Sequence, residues 1–137
     1  MNNSIGNLLI QICKQRRNRT NALLSESGIH SGQDALLYYL SLEDGQTVSS
    51  LVEKLCIQHA TISSMIDRMG AAGMITKEKD VKDKRISRIF LTEKGKLALT
   101  EIGKVWIIME SLTTNGLNEE EKQLLIGLLQ RVQINLR

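Results

Sequence analysis

Residues 47–95 read TVSSLVEKLCIQHATISSMIDRMGAAGMITKEKDVKDKRISRIFLTEKG, and the hydrophobic period changes within that stretch. Behind Thr47, a residue able to cap a first turn, Val48, Leu51, Val52 and Leu55 fall on one helical face. Ile62, Met65, Ile66 and Met69 then recur at i, i+3, i+4 and i+7, and Gly73 is placed to end that second helix in the left-handed conformation. Past Gly73 the period drops to two. Met74–Lys79 and Ile86–Leu91 read as short strands, with Ile86, Arg88 and Phe90 alternating against Ser87, Ile89 and Leu91. The link between them, Asp80–Val81–Lys82–Asp83–Lys84–Arg85, is polar and mostly charged. Two short helices separated by a tight turn, followed by a hairpin with a charged tip, predict a winged helix-turn-helix.

Outward from this centre the pattern is helical. Ile5, Leu8, Leu9, Ile12 and Cys13 form a stripe that Leu23 and Leu24 continue, predicting a first helix that ends near Ser27–Gly28. Ala35–Leu42 is a short apolar helix stopped by Asp44–Gly45. Thr92–Gly95 opens a long helix with Ala98, Ile102, Val105, Trp106, Met109 and Leu112 on its apolar side, broken by Gly116. Asn118 with Glu121 three residues on has the form of a capping box. The last helix is expected to bury Leu124, Leu125, Leu128, Leu129, Val132 and Leu136. The predicted fold is mainly α with a small β-hairpin wing. It is one domain over residues 1–137, with a winged helix-turn-helix region at 31–95 and helical dimerisation regions at 1–27 and 96–137. The terminal stripes are long and remote from the central motif. Gly6, Gly103 and Gly127 interrupt helices where each costs ~1 kcal/mol against Ala, a cost that close approach of another helix would explain.

Composition narrows the function. A chain of 137 residues with 42% apolar and 24% charged residues has the balance of a soluble globular domain. Aromatics at 3% are too few to stack a run of bases, which argues against a single-strand binding sheet. Apolar runs are only a few residues long, short of the ~20 needed to span a bilayer. Met1 to Gly6 has neither a basic stretch nor an apolar run, so no signal peptide is expected. Cys13 and Cys56 make no disulfide framework, which suits a cytoplasmic setting. With His30 and His59 they show no metal-ligand spacing, so no metal or cofactor is expected. There is no phosphate-binding glycine loop and no nucleophile elbow, and an enzyme is not expected.

The net charge of +3 is mild, but its distribution is not. Thr20–Glu53 holds five acids and no Lys or Arg, whereas Thr76–Lys96 holds eight bases against four acids. A second basic run is Lys14, Arg16, Arg17 and Arg19. An α-helix fits the major groove of duplex DNA. With Ile62, Met65, Ile66 and Met69 turned inward, the outward face of the second helix carries Ala60, Thr61, Ser63, Ser64, Asp67 and Arg68. Gln58 and His59 stand at its start, where backbone N–H groups favour a phosphate. Asp67 is better suited to orient Arg68 or a wing arginine than to read a base, because a carboxylate repels phosphate. Lys84 and Arg85 lie on the hairpin tip, from which Arg85 can enter a narrow, electronegative minor groove. The candidate DNA contacts are therefore Gln58, His59, Ala60, Thr61, Ser63, Ser64, Arg68, Lys84 and Arg85.

Leu51–Val52–Glu53–Lys54–Leu55, Ala60–Thr61–Ile62–Ser63, Asp67–Arg68–Met69, Ala72–Gly73–Met74–Ile75, Asp83–Lys84–Arg85 and Leu91–Thr92–Glu93–Lys94–Gly95 together resemble the MarR family, the multiple-antibiotic-resistance regulators of bacteria and archaea. The spacing matches from about Val48 to Gly95 without a gap, and the Asp-x-Arg wing followed by Leu-Thr-x-x-Gly is its most specific part. The resemblance implies a homodimer with interlocked terminal helices and two winged helices on a pseudo-palindromic operator. It implies a transcription regulator, most often a repressor, that releases DNA on binding a small phenolic or other lipophilic ligand. It also implies Arg85 in the minor groove with Asp83 orienting it, as a carboxylate two residues away can do by charge-assisted hydrogen bonds. The chain departs from the family pattern in lacking the proline that often precedes Asp-x-Arg, in holding Cys56 where glycine is common, and in opening the recognition helix with Gln58–His59.

Two other readings remain at this point. Cys13 sits on the first helix with Arg16 and Arg17 at i+3 and i+4, so a thiol-based redox regulator is one; a buried core thiol is the plainer reading of the same residue. A winged-helix protein-interaction module that does not bind DNA is the other. Trp106 is a core residue on its pattern, with a ligand pocket between the dimerisation and DNA-binding parts as its alternative.

Overall fold

The computed structural model describes residues 3–137; Met1 and Asn2, which open both the expected N-terminal dimerisation region and the stretch read for a signal peptide, lie outside the described residues. The elements run α1 (Ile5–Leu24), α2 (Gln33–Leu42), β1 (Gln46–Thr47), α3 (Val48–Leu55), α4 (His59–Ala71), β2 (Ile75–Lys79), β3 (Ser87–Leu91), α5 (Glu93–Thr113) and α6 (Glu119–Asn135). The helix boundaries follow local chemistry. Ser4 caps α1 by accepting from the Asn7 amide at 3.1 Å, and a 3₁₀ turn at Ser25–Ser27 ends on Gly28 at φ +74°. Thr47 caps α3 through the Ser50 amide at 3.1 Å. Gly73, at φ +78°, closes α4. Asn118 and Glu121 form the reciprocal capping box that starts α6.

The sheet is antiparallel in the order β1-β3-β2. β2 and β3 pair from Ile75 opposite Leu91 to Lys79 opposite Ser87, and β1 adds Gln46 opposite Ile89 and Thr47 opposite Arg88. The hairpin thus carries a third strand that two residues without alternation could not announce. Of the alternating residues in β3, only Ile89 is buried; Phe90 and Leu91 are half-covered. The buried core joins Leu24 of α1, Leu36, Leu37 and Leu40 of α2, Leu51 of α3, Ile62, Met65, Ile66 and Met69 of α4, Ile89, and Ile102, Val105 and Met109 of α5. This core fixes α4 and the wing on one body, with the second helix's four apolar residues turned inward as the spacing requires.

Helix α5 is set against the wing at Gly95. A Cβ at this position would lie 2.2 Å from the Met74 carbonyl oxygen and 3.1 Å from a Leu91 methyl. Thr92 reinforces the junction by accepting from the Gly95 amide at 3.1 Å and donating to the Gly73 carbonyl at 2.6 Å. Because the obstacle is backbone, relaxation must move a strand or a helix. Gly95→Ala is expected to cost about 2 kcal/mol despite alanine's better helix propensity. Thermal unfolding should show a Tm roughly 5–10 °C lower than wild type; an unchanged Tm would remove this close approach as a packing constraint.

The terminal helices differ from expectation. α6 has no buried residue, and Leu124, Leu125, Leu128, Leu129 and Leu136 are all exposed. In α1, Ile5, Leu8, Ile10 and Ile12 are exposed as well. Cys13 is exposed rather than a core thiol. Within one chain these stripes are only partly covered: α1 packs along α5 and Leu9, Ile12, Leu112, Leu125 and Leu129 line one groove, but the buried core takes only α1's last turn and the middle of α5. The Cβ positions of Gly6, Gly103 and Gly127 meet nothing within 4 Å.

Candidate nucleic-acid interface

The turn between α3 and α4 is built on Cys56, which adopts φ +53°, the left-handed region that a non-glycine residue enters only with strain. Its Sγ donates weakly to the Glu53 carbonyl at 3.6 Å. α4 then begins after Gln58, whose side chain makes no cap bond, so the first-turn amides of α4 carry no side-chain acceptor from the cap. Gln58, His59, Ala60, Thr61, Ser64 and Arg68 lie along α4 with the half-buried Ser63 among them, and His59, Ala60, Thr61 and Arg68 are exposed. His59 Nδ1 and Ser63 Oγ lie 3.3 Å apart, which fixes both side chains along the helix. Asp67, suited by its sequence position to orient Arg68 or a wing arginine, does neither. It is exposed and has no hydrogen-bond or ion-pair partner among the described residues.

The wing tip is ordered by two aspartates. Asp83 Oδ1 accepts from the Arg85 amide and from Arg85 Nε, each at 3.0 Å, and Asp83 Oδ2 accepts from Arg85 Nη2 at 3.0 Å. Asp80 Oδ2 accepts from the amides of Lys82 (3.1 Å) and Asp83 (2.9 Å), replacing the rigidity that a proline would supply. The Arg85 side chain remains 90% exposed, so its guanidinium is oriented without being covered. Hydrogen bonds from Arg85 hold the Asp83 carboxyl below its ordinary value of 3.8, and Arg88 does the same for Asp80; Asp83 in turn raises the Arg85 guanidinium. Folding lowers both carboxyl values, so their stabilising effect is present above the ordinary carboxylate range and is lost only as pH falls below it. Lys84 and Lys82 are exposed on the same tip.

An exposed polar helix face and a preset wing arginine on one rigid body are what a groove-and-wing reader requires, and the comparisons with known proteins agree. The family model described as the MarR family matches residues 29–87. An uncharacterized HTH-type transcriptional regulator of Bacillus cereus is 30% identical over 135 residues, covering 95% of this chain and 90% of that protein. The chain belongs to the MarR family. SlyA has the same fold at TM-score 0.91 and 25% identity, covering 97% of this chain and 94% of that one. Staphylococcus aureus MepR, solved as a DNA complex, superposes at TM-score 0.91 with 22% identity, covering 96% of this chain and 98% of that one. As a MarR-family member the chain is a winged-helix transcription regulator.

In this MarR-family chain a cleft of about 490 Å³ opens between α1, α2 and α5, lined by Cys13, Arg16, Arg17, Asp34, Trp106 and Met109 among others. Asp34 is nearly buried. Its Oδ2 accepts from Trp106 Nε1 at 2.7 Å and its Oδ1 from the Gly32 amide at 2.8 Å, so each carboxyl oxygen already has a donor. Arg16 donates to Thr113 Oγ1 on α5, whereas Arg17 lines the cleft with no such bond to protein among the described residues. Trp106, edge-on to Tyr38 at 5.0 Å, packs partly on the core and partly lines the cleft, so both readings of this residue describe part of its position. Pattern reading places Asp80 in the hairpin link and Arg88 in its second strand but gives neither a role in ordering the tip; an Asp two and three residues before further amides is the turn signal that marks Asp80, while Arg88's partners are marked by nothing local. Among the described residues no helix is long and apolar enough to cross a membrane, and no group of three or more His, Cys, Asp or Glu could hold a metal ion.

Proposed function

We propose that this MarR-family regulator works as a homodimeric cytoplasmic repressor with no catalytic role, whose hold on duplex DNA is weakened by a small organic ligand in the Arg17–Trp106 cleft. Residues 31–95 read DNA, with Gln58, His59, Ala60, Thr61, Ser63, Ser64 and Arg68 facing the major groove and Lys84 and Arg85 on the wing. Residues 1–27 and 96–137 pair the two copies. The observation that carries the DNA-reading role is the polar face of α4 beside an arginine held on three hydrogen bonds by Asp83. The test is fluorescence anisotropy on duplexes selected from a random pool. Binding that survives non-specific competitor and falls steeply with salt supports the reading. Failure to enrich any sequence would refute it and favour a protein-interaction module.

The cleft's chemistry suits a planar organic anion: Trp106, Met109 and Ala35 offer apolar surface, and Arg17 offers an uncommitted guanidinium. Trp106 is the chain's one tryptophan, so its emission reports directly on the cleft. Salicylate should quench or shift that emission, and Arg17→Ala should raise its Kd on the order of tenfold. Neutral salicylamide should bind weakly to both proteins. Equal binding of acid and amide, or an unaltered Kd in Arg17→Ala, would remove the anion reading of the cleft. Cys13 lines the same cleft and is exposed, which supports thiol oxidation as a second input. In that case oxidant weakens DNA binding in the wild type and leaves Cys13→Ser unaffected.

A further inference from the structure

The guanidinium of Arg88 sits where the wing meets the body. Arg88 lies in the central strand β3, opposite Thr47 on β1 and Glu78 on β2. Its hydrogen bonds pass over its register partner Glu78. Arg88 Nε donates to Asp80 Oδ1 at 2.6 Å, and Arg88 Nη1 donates to the Gly45 carbonyl at 2.9 Å. Gly45 belongs to the turn before β1, and its own amide donates to the Ile89 carbonyl at 2.9 Å. Asp80, whose side chain is only 16% exposed, passes the connection on to the Lys82 and Asp83 amides, and Asp83 holds Arg85. An unbroken run of polar contacts therefore joins the α2–β1 turn to the wing-tip arginine. Without it, the tip is tied by two backbone bonds, Asp80 amide to Ile86 carbonyl at 2.8 Å and Ile86 amide to Asp83 carbonyl at 3.0 Å.

We infer that Arg88 is a positioning residue for DNA binding, fastening the wing to the α2–β1 turn so that Arg85 is presented in one geometry. The inference rests on the proposed role of Arg85 as a wing contact. Only arginine has the fork for this task, since two separate donors must reach a carboxylate and a carbonyl from one planar group. With Nε and Nη1 engaged by protein acceptors, Arg88 acts on DNA through the order of the tip and not as a phosphate partner.

A double-mutant cycle tests this, using the duplex selected by the wild-type protein and anisotropy as the readout. Arg88→Ala should weaken binding roughly fivefold, and the Arg85→Ala/Arg88→Ala double variant should bind no more weakly than Arg85→Ala alone, because a positioner has nothing left to position. Arg88→Lys keeps the charge without the fork and should behave as Arg88→Ala does; it also serves if the alanine variant folds poorly. Amide hydrogen exchange at Lys82 and Asp83 should quicken in either variant while α4 amides keep their protection. Losses that multiply in the double variant, or wild-type affinity in Arg88→Lys, would make Arg88 a charge partner of DNA and overturn the inference. Wild-type affinity in Arg85→Ala would instead remove the wing reading on which the inference depends.

Discussion

The paired substitution Leu124→Glu/Leu128→Glu should convert the protein to a folded monomer and lower operator affinity about a hundredfold or more, the loss expected when two linked half-site contacts become one. The two leucines are i and i+4 on α6, at 64% and 47% exposure. The helix contributes no buried residue to the chain's own core, so new charge there has no intramolecular packing to disrupt. Yet α6, α1 and the end of α5 also expose Ile5, Leu8, Ile12, Ile108, Leu112 and Leu129, of which Ile12, Leu112 and Leu129 line one groove. This much exposed apolar side chain on three helices is unusual for a monomer and is relieved by burial against a second copy. Sedimentation or light scattering at micromolar concentration gives the mass, circular dichroism gives the fold, and anisotropy gives the affinity. A dimer that persists with both glutamates in place would locate the seam elsewhere. A monomer with undiminished affinity would separate dimerisation from DNA binding.

The winged helix-turn-helix is legible in the sequence because its signals are local and periodic. Ile62, Met65, Ile66 and Met69 announce a helix and its inward face together, and all four are buried. Thr47, Gly73, Thr92 and Asn118 mark element ends through capping or φ, and each does so in the structure. Asp83 and Arg85 are two residues apart, so their pairing needs no tertiary knowledge. Legibility ends where the partner is distant or belongs to another copy. Arg88 reaches Gly45 across 43 positions, and Asp34 reaches Trp106 across 72. Neither pair has a spacing that periodicity can report. The α6 stripe has a core-like pattern, but a pattern cannot say whose core it enters. Cys13 misleads for the same reason: a position on an apolar stripe implies burial only if the stripe has a cover within the chain. Asp67 misleads because helical phase places it outward and nothing in its neighbours indicates that no arginine turns towards it.

Arg85→Ala should lower affinity for the selected duplex about thirtyfold, within the range for losing one oriented arginine contact, and leave Tm unchanged. The stability expectation follows from exposure: at 90% exposed, the side chain leaves no cavity, and its ion pair with Asp83 is a surface one. The affinity expectation follows from preorganisation. Arg85 has its Nε and Nη2 on Asp83, so the rest of the guanidinium projects in a set direction and little rotamer freedom is lost on docking. Arg85→Lys should recover little of this loss, since a lysine cannot keep the two-point grip on Asp83 while also reaching a groove. Asp83→Asn should fall between, keeping an acceptor but losing the charge that orients the fork. Salt then separates two modes of contact. A phosphate partner lowers the slope of log K against log salt by about one when removed. A minor-groove contact instead erodes discrimination between the selected duplex and A·T-poor variants while the slope changes less. Wild-type affinity in Arg85→Ala would mean that the α4 face alone holds the duplex, and that the Asp83–Arg85 pair is a feature of the hairpin with no part in reading DNA.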